Sequence, residues 1–198
     1  MKDAEWVHLE TKRLRLRRFT SADVDLIVDL DSDPEVTRYT NGGRPTTRED
    51  VECVHLPRVL AFYNEGENLG YWAAVEKPSS RFIGWFHFRP HPSDPWEIEL
   101  GYRPKREAWG KGYATEGSLA LLERGFRELG IAKIVADALL ANRRSTRVME
   151  KLGMSLESEF VCGPDEFPGF GFEERRGVKY AITREEWEQR TRDLELQV

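Results

Sequence analysis

Residues 97–116 read EIELGYRPKREAWGKGYATE, and this stretch decides the fold. Its order indicates a strand, a loop and the start of a helix. Gly110, Gly112 and Ala114 let a backbone approach a ligand closely, and the first turn of a helix has N–H groups without helical partners. Because the helix dipole adds positive charge at this end, the stretch predicts a cradle for a pyrophosphate.

Two other phosphate-binding loops fit these residues poorly. No GxxxxGK[ST] pattern occurs, which excludes a Walker loop. The dinucleotide fingerprint GxGxxG needs Gly or Ala where Thr115 stands, and a tighter turn than residues 103–109 permit. Asp137 lies too far along the chain to be that fingerprint's acidic residue. A dinucleotide oxidoreductase therefore stays a disfavoured alternative.

The elements on either side of this stretch predict a mixed α/β domain. The first are a strand from Leu14 to Phe19, a helix opened by the capping box Thr20-x-x-Asp23, and a second helix opened by Thr46-x-x-Glu49 that Pro57 kinks or splits. Further strands are predicted at 71–76, 81–88, 96–102, 131–139, 154–161 and 178–182, with helices at 112–129, 143–152 and after the Thr183-x-x-Glu186 box.

Length and composition favour a single domain over residues 1–198, with a core about residues 9–190. The 39% hydrophobic content can cover a real core, and no repeat or low-complexity linker divides the chain. The net charge of −5 disfavours a nucleic-acid binder, which needs a broad basic face. An acidic protein instead suits cationic substrates.

Neither a membrane partner nor a metal site is predicted. Charges interrupt the apolar runs, and residues 1–5 show no basic region followed by an apolar one, so no membrane span or secretory signal is expected. Cys53 and Cys162 lack zinc-ligand spacing, which favours buried, reduced thiols in the cytoplasm. His87 and His91 lie four residues apart, but Pro90 interrupts the strand between them, so the two side chains need not share one face.

The cradle resembles the pyrophosphate loop of the GNAT acetyltransferase superfamily, in particular its ribosomal-protein N-terminal acetyltransferase (RimJ/RimL-like) branch. The resemblance rests first on Trp109 to Glu116. Asn142-x-x-Ser145 followed by Glu150-Lys151-Leu152-Gly153-Met154 resembles that family's second signature. Residues 9–17 and 180–187 match the flanks, so the resemblance covers nearly the whole chain.

The resemblance implies a GNAT fold, with a mixed central sheet of about six or seven strands flanked by helices on both faces. The fourth and fifth strands would be splayed apart. The implied activity is transfer of an acetyl group from acetyl-CoA to a primary amine by direct attack in a ternary complex. The acceptor is left open between a protein N-terminal α-amine and a small molecule such as a polyamine, amino acid or antibiotic. A non-catalytic acyl-CoA sensor is the alternative from another class.

The resemblance also implies which residues bind coenzyme A. The diphosphate would lie on the backbone from Trp109 to Ala114, with charge from Lys111, and Asn142 would bond the pantetheine arm. The full set of expected cofactor-binding residues is Leu100, Gly101, Tyr102, Trp109, Gly110, Lys111, Gly112, Tyr113, Ala114, Thr115, Asn142 and Arg147. A basic cluster agrees with this: Arg103, Lys105, Arg106, Lys111, Arg143, Arg144, Arg147 and Lys151 surround the proposed site of an acidic protein.

Glu99 and Ser145 are the predicted catalytic residues. Relatives use a carboxylate on the fourth strand to accept or relay the amine proton, and Glu99, with Glu97 on the same face, occupies that strand; a cross-strand salt bridge is the alternative. Met149 stands where many relatives have a tyrosine that protonates the leaving thiolate. Ser145 is therefore the predicted general acid, with helix capping as its alternative role.

The aromatic segment from Phe167 to Phe172 is left open between three roles. It could wall the acceptor pocket, form the contact of a homodimer, or pack onto the domain.

Overall fold

The computed structural model describes residues 6–64, 66 and 68–195, which form one sheet with helices on both faces. No helix among these residues is long and apolar enough to cross a membrane. Residues 1–5, where no secretory signal is expected, lie outside the described residues.

Eight strands make up the sheet in the described part of the chain. They are β1 (Val7–Glu10), β2 (Leu14–Arg17), β3 (Gly70–Glu76), β4 (Arg81–His91), β5 (Asp94–Pro104), β6 (Lys133–Leu139), β7 (Ser155–Val161) and β8 (Arg176–Thr183). Their order is β1-β2-β3-β4-β5-β6-β8-β7, and only β5 and β6 run parallel to each other. The mixed fold class is confirmed, and β1 adds a strand to those predicted.

Helices fill the connections before β3 and after β5. They are α1 (Val24–Asp31), α2 (Pro34–Asn41), α3 (Arg48–Asp50), α4 (Leu56–Ala61), α5 (Tyr113–Arg127), α6 (Arg143–Leu152) and α7 (Arg184–Glu195). The long amphipathic helix and the second-motif helix are α5 and α6, as predicted. The Thr183 capping box opens α7, with Thr183 N donating to Glu186 at 2.8 Å.

The parallel pair β5 and β6 separates soon after it forms. The two strands pair only at Ile98 with Ile134 and at Glu99 with Val135. Beyond these pairs, no strand in the described part of the chain is bonded to the edge of β5 that faces β6. These are the predicted fourth and fifth strands, and the predicted splay between them is present.

Alternation along the strands divides the sheet into an apolar and a polar face. Even-numbered residues such as Ile98 and Ile134 join a core cluster with Leu121, Leu122 and Phe126 of α5. Odd-numbered residues of β5 and β6 point to the opposite face, as successive strand residues must. On that face, helices α1 to α4 cover a second cluster that includes Ile27, Val51 and Ala73.

Three details differ from the sequence-based expectations. Helix α2 was not predicted, because only Thr37 of its residues is buried and no apolar period marks it. The capping box of α3 is Thr47 with Asp50, so the prediction of Thr46 with Glu49 is wrong by one residue; adjacent Thr and acidic pairs offer both registers. Before Pro57, residues 51–55 form a π-helical segment, which agrees with the predicted interruption.

The prediction that both cysteines are buried is wrong. Cys53 is exposed and Cys162 is half-buried, and both are free thiols. Val51 and Leu56, rather than Cys53, supply the buried side of their segment.

Candidate active site

Two cavities meet where β5 and β6 separate. The smaller, about 350 Å³, lies beside the start of α5, and the larger, about 590 Å³, lies between the polar face of the sheet and helices α1, α2 and α4. The residues that line both are Tyr39, Thr40, Tyr102, Arg103, Asn142 and Ser145. Helix α2 thus contributes to both walls through Tyr39 and Thr40, a role that its sequence did not reveal.

The loop before α5 has the backbone conformation of an anion cradle. Gly110 and Gly112 have φ values of 73° and 81°, which residues with a Cβ atom rarely adopt. A Cβ at Gly110 would meet nothing within 4 Å, so space lies open beside this backbone. The first helical bond runs from Glu116 N to Gly112 O at 2.9 Å, which leaves the preceding amides unused by the helix.

Arg13 and Glu116 hold this cradle in place. Arg13 Nη1 donates to the Lys111 carbonyl oxygen at 2.9 Å. The Glu116 carboxylate accepts from Thr11 Oγ1 at 2.6 Å and from Arg13 N at 2.8 Å, which ties α5 to the turn between β1 and β2. Sequence reasoning missed Arg13, because its role depends on a contact with residues about a hundred positions away.

The wall of the smaller cavity on α6 is basic. Arg144, Arg147 and Lys151 line it, and none of them forms an ion pair with a carboxylate in the described residues. Arg144 stacks over the Trp109 ring, with 4.3 Å from its guanidinium carbon to the ring centroid. Unpaired cations beside a backbone cradle suit a ligand with several phosphates.

These features fit coenzyme A. Of the expected cofactor-binding residues, those lining the smaller cavity are Tyr102, Trp109, Gly110, Gly112, Tyr113, Ala114, Thr115, Asn142 and Arg147. Leu100 and Gly101 line the larger cavity. Lys111 is exposed and lines neither, although its carbonyl is fixed by Arg13.

Ser145 and Tyr102 stand at the junction of the cavities. Ser145 Oγ donates to Tyr102 Oη at 3.3 Å, and Tyr102 Oη can donate to the Ser145 carbonyl oxygen at 3.3 Å. Burial raises the pKa of Tyr102 to about 12, so its hydroxyl keeps its proton at neutral pH. Asn142 caps α6 by accepting from Ser145 N at 3.3 Å, so Ser145 contributes its backbone N–H, and not its hydroxyl, to this cap.

Glu99 lines the larger cavity in an ion-paired state. Its Oε2 lies 2.7 Å from Arg89 Nη2, and its Oε1 lies 3.5 Å from His87 Nε2. Burial acts to raise the pKa of Glu99, but the hydrogen bond with His87 and the charge of Arg89 bring it below its usual value. Burial lowers the pKa of His87, which keeps that imidazole neutral at pH 7.

Glu97 shares the face of β5 with Glu99 but does not line the larger cavity. Its carboxylate bonds Lys133 at 2.7 Å and also Lys179. Glu157 completes this group by contacting both lysines, with 3.6 Å to Lys179 Nζ. The four residues lie on β5, β6, β8 and β7, and we call them the charge ladder. The cross-strand salt bridge that was the alternative role for Glu99 is also present, since Glu99 pairs with Arg89 of β4.

Asp137 and His91 also enter the site, and sequence reasoning gave neither a role there. Asp137 lies on β6 beyond the last paired residue and lines the larger cavity. Its Oδ2 lies 3.1 Å from His91 Nε2. Burial raises the pKa of Asp137 above its usual value. The described residues contain no cluster of His, Cys, Asp or Glu suited to a metal ion.

An aromatic wall backs the larger cavity. Tyr71 and Trp85 line it, with ring centroids 5.6 Å apart, and the His87 ring stacks on Trp85 at 5.7 Å. His87 fits because its strand partner is Gly101: a Cβ there would lie 2.4 Å from His87 Nε2. Phe167 and Phe172 line neither cavity; Phe167 is buried and Phe172 is 61% exposed.

Comparison with known proteins gives a consistent result. Residues 13–155 match the model of a domain family described as "Acetyltransferase (GNAT) domain". An FsC-acetyl coenzyme A-N(2)-transacetylase from Aspergillus fumigatus is 32% identical over 186 residues, which cover 90% of this chain and 77% of that relative. A GNAT-family acetyltransferase from Bacillus anthracis has a solved structure that matches with a TM-score of 0.71 at 28% identity, covering 89% of this chain and 98% of the other.

A structural match also exists in the ribosomal branch. The RimL ribosomal L7/L12 alpha-N-protein acetyltransferase, solved in complex with coenzyme A, matches with a TM-score of 0.72 over 89% of this chain and 97% of the other. The two sequences are 15% identical, so this likeness concerns the fold.

Proposed function

The chain belongs to the GNAT acetyltransferase family and is an acyltransferase, and on this premise we propose that it acetylates a primary amine held in the larger cavity. The family's acetyl donor is acetyl-CoA, and the acetyl group would pass directly to the amine while both substrates are bound. The observation that carries the proposal is the meeting of the two cavities at Tyr102, Asn142 and Ser145.

The smaller cavity would hold the donor. The backbone amides from Gly110 to Ala114 would bond its diphosphate, and Arg147 with its basic neighbours would face the remaining phosphate. The unpaired edge of β5 from Leu100 to Tyr102 supports this placement, because an extended pantetheine arm can bond a free strand edge as an added strand would. Asn142 lies at the far end of that edge, at the start of α6.

The reaction needs a neutral amine and a proton for the departing thiolate. A protein α-amine, with a pKa of about 7.7–8.0, is partly neutral at pH 7, whereas a lysine-like amine at about 10.4 needs a stronger base. Ser145 is the proposed proton donor, supported by its place at the junction and its contact with Tyr102. Glu99 stays the sequence-based candidate for the base.

A small-molecule amine is the acceptor that we favour. Helices α2 and α4 form one side of the larger cavity through Tyr39 and Val59, which leaves a volume of about 590 Å³, within the range of small-ligand pockets. The Aspergillus relative is named for acetyl transfer to an N(2) nitrogen, which supports an amine acceptor of this kind. A peptide N-terminus is the second candidate, suggested by the fold shared with RimL.

Thiol release from acetyl-CoA tests the proposal. The protein would be incubated with acetyl-CoA and, in turn, polyamines, amino acids, aminoglycosides and short peptides with free N-termini. We expect thiol release that depends on a free amine and saturates with it. Release only with peptides would reverse the choice of acceptor. Thermal stabilisation by acetyl-CoA without release for any amine would instead identify a sensor.

A further inference from the structure

Three carboxylates line the larger cavity, and they differ in their ion-pair partners. Asp31 pairs with Arg103 at 2.7 Å, and Glu99 pairs with Arg89 at 2.7 Å. Asp137 forms no ion pair with an arginine or lysine among the described residues. It is therefore the one of the three whose ionisable partner in the described residues is a histidine, His91, rather than an arginine.

The nearest lysine across the sheet does not change this. Lys179 is the strand partner of Asp137, so both side chains rise from the same face. Its ammonium group is already bound by Glu97 and Glu157 of the charge ladder. Lys179 therefore acts on Asp137 only from a distance and forms no ion pair with it.

His91 holds Asp137 through one oxygen and leaves the other free. His91 Nδ1 accepts from Ser93 N at 3.2 Å, so in the neutral imidazole the proton is on Nε2. That N–H points to Asp137 Oδ2 at 3.1 Å. Asp137 Oδ1 has no hydrogen-bond partner although it is buried, which is costly for a carboxylate oxygen.

The position of Asp137 on β6 matters as much as its charge. Val135 is the last residue of β6 that pairs with β5, and Asp137 follows it on the same face, in the opening between the strands. Asn142 and Ser145, at the junction of the cavities, follow β6 in sequence. An amine held at Asp137 would thus lie in the cavity that opens toward the donor.

We infer that Asp137 binds the ammonium group of the acceptor and takes its proton before the acetyl transfer, with His91 as its positioning residue. This inference rests on the proposed function. It makes the acceptor a primary ammonium ion, whose positive charge supplies the cation that Asp137 lacks.

The proton and electron balance is complete without another reactant. One proton moves from the ammonium nitrogen to the Asp137 carboxylate. The freed lone pair forms the C–N bond to the thioester carbonyl carbon, the C–S bond breaks, and its electron pair leaves with sulfur. The second nitrogen proton is lost as the amide forms and ends on that sulfur through the hydroxyls at the junction. Asp137 then returns its proton to water.

The charges around Asp137 agree with this role. His91 on β4, Glu99 on β5, Lys179 on β8 and Cys162 after β7 are the titratable groups that face it. Burial raises its pKa, opposed by the hydrogen bond from His91, whereas the pKa of Glu99 is lowered. Asp137 is accordingly the stronger base of the two.

The test compares Asp137→Asn, Glu99→Gln and the control Asp25→Asn across acceptor amines of graded basicity. Asp25 is a carboxylate on α1 whose side chain is 79% exposed, and it lines neither cavity. For Asp137→Asn, kcat/KM for the most basic amine should fall about 100-fold or more, as for loss of a general base. Weakly basic amines, and any amine above its own pKa, should lose far less, while stabilisation by acetyl-CoA stays unchanged.

Each outcome decides the inference. If Asp137→Asn loses kcat/KM equally for all amines at all pH values, or loses none, the inference is wrong. It is also wrong if the loss that depends on amine basicity appears in Glu99→Gln and not in Asp137→Asn. If the wild-type protein transfers acetyl groups to none of the amines, that result refutes the proposed function rather than this inference. Normal acetyl-CoA stabilisation of Asp137→Asn shows that the variant is folded.

Discussion

At the residue scale, the contact of Gly101 with His87 predicts an effect on both stability and acceptor binding. In Gly101→Ala the new methyl group would overlap the His87 imidazole. That ring packs against the rings of Trp85 and Tyr71, which limits how far it can move. We expect the free energy of unfolding to fall by about 1–3 kcal/mol, typical of overpacking, and the KM for the amine to rise. Urea unfolding and steady-state kinetics measure the two effects. Gly171→Ala is the control, since its Cβ would make only ordinary contact at 3.5 Å with Glu174; equal destabilisation would contradict the argument.

Ser145 supports a second prediction at this scale. If its hydroxyl passes a proton to the departing thiolate, Ser145→Ala should lower kcat by about 100-fold, the usual size of general acid catalysis. The KM for acetyl-CoA should stay the same, because α6 keeps its cap from Asn142 to the backbone of residue 145. Tyr102→Phe, which removes the partner hydroxyl at 3.3 Å, should show a smaller loss of the same kind. An unchanged kcat in Ser145→Ala would show that the serine hydroxyl takes no part in the transfer.

How much of the site the sequence could predict depends on the range of the contacts. Gly110, Gly112 and Asn142 could be found because their roles follow from a short local pattern. Arg13, Asp137 and His91 could not, since each acts on a group brought near by strand register or a distant turn. Register is set by packing of the whole sheet, which a local pattern does not record.

At the element scale, the charge ladder closes the base of the opening between β5 and β6. Glu97 links β5 to lysines of β6 and β8, just before the pairs at Ile98 and Glu99 where the strands separate. Burial acts to raise the pKa of Glu97, and the hydrogen bonds and charges of its two lysine partners act to lower it. The pKa of Glu97 lies below its usual value as a result. A carboxylate whose folded pKa is depressed stabilises the fold above its unfolded pKa, and that stability is lost as pH falls through the folded value.

Glu97→Gln should therefore lower the free energy of unfolding by about 2 kcal/mol at pH 7, the scale of a hydrogen bond to a charged group. The difference from wild type should shrink as pH falls below about 4, where the unfolded carboxyl is protonated. Urea unfolding between pH 3 and 7 measures it. The exposed pair of Glu123 with Arg127 at 3.2 Å gives the control Glu123→Gln, whose loss should stay within about 0.5 kcal/mol. A pH-independent difference for Glu97→Gln would contradict this role.

Helix α2 shows why some elements escape sequence reasoning. Its signals are local: Asp33 accepts from Glu35 N at 3.0 Å, Pro34 begins the helix, and Gly42 ends it with a φ of 77°. Its interior lacks the apolar repeat that identified α5, because one side of α2 faces the cavities instead of the core. An element that lines a ligand site carries ligand-facing residues where a core helix would carry apolar ones.

At the scale of the whole molecule, charge distribution predicts how acetyl-CoA binds. The chain carries a net charge of −5, yet the smaller cavity has three basic residues without a described carboxylate partner. The three basic residues should therefore attract the acetyl-CoA phosphates, although the net negative charge of the protein repels them. Because salt screens this local attraction, the affinity for acetyl-CoA should fall as the salt concentration rises. At a hundred times its Kd it should stabilise the fold by about 2.7 kcal/mol, which raises Tm by about 5–10 °C for a domain of this size.

Arg147→Gln separates the cluster from the overall field. Loss of a cation facing a phosphate should weaken acetyl-CoA binding about 10-fold and reduce its salt dependence. Arg127→Gln removes the same charge from the far part of α5, where Arg127 pairs with Glu123, and should leave the affinity within about twofold. Calorimetric titration at low and high salt measures both. Equal losses in the two variants would mean that net charge, rather than the residues beside the cradle, governs donor binding.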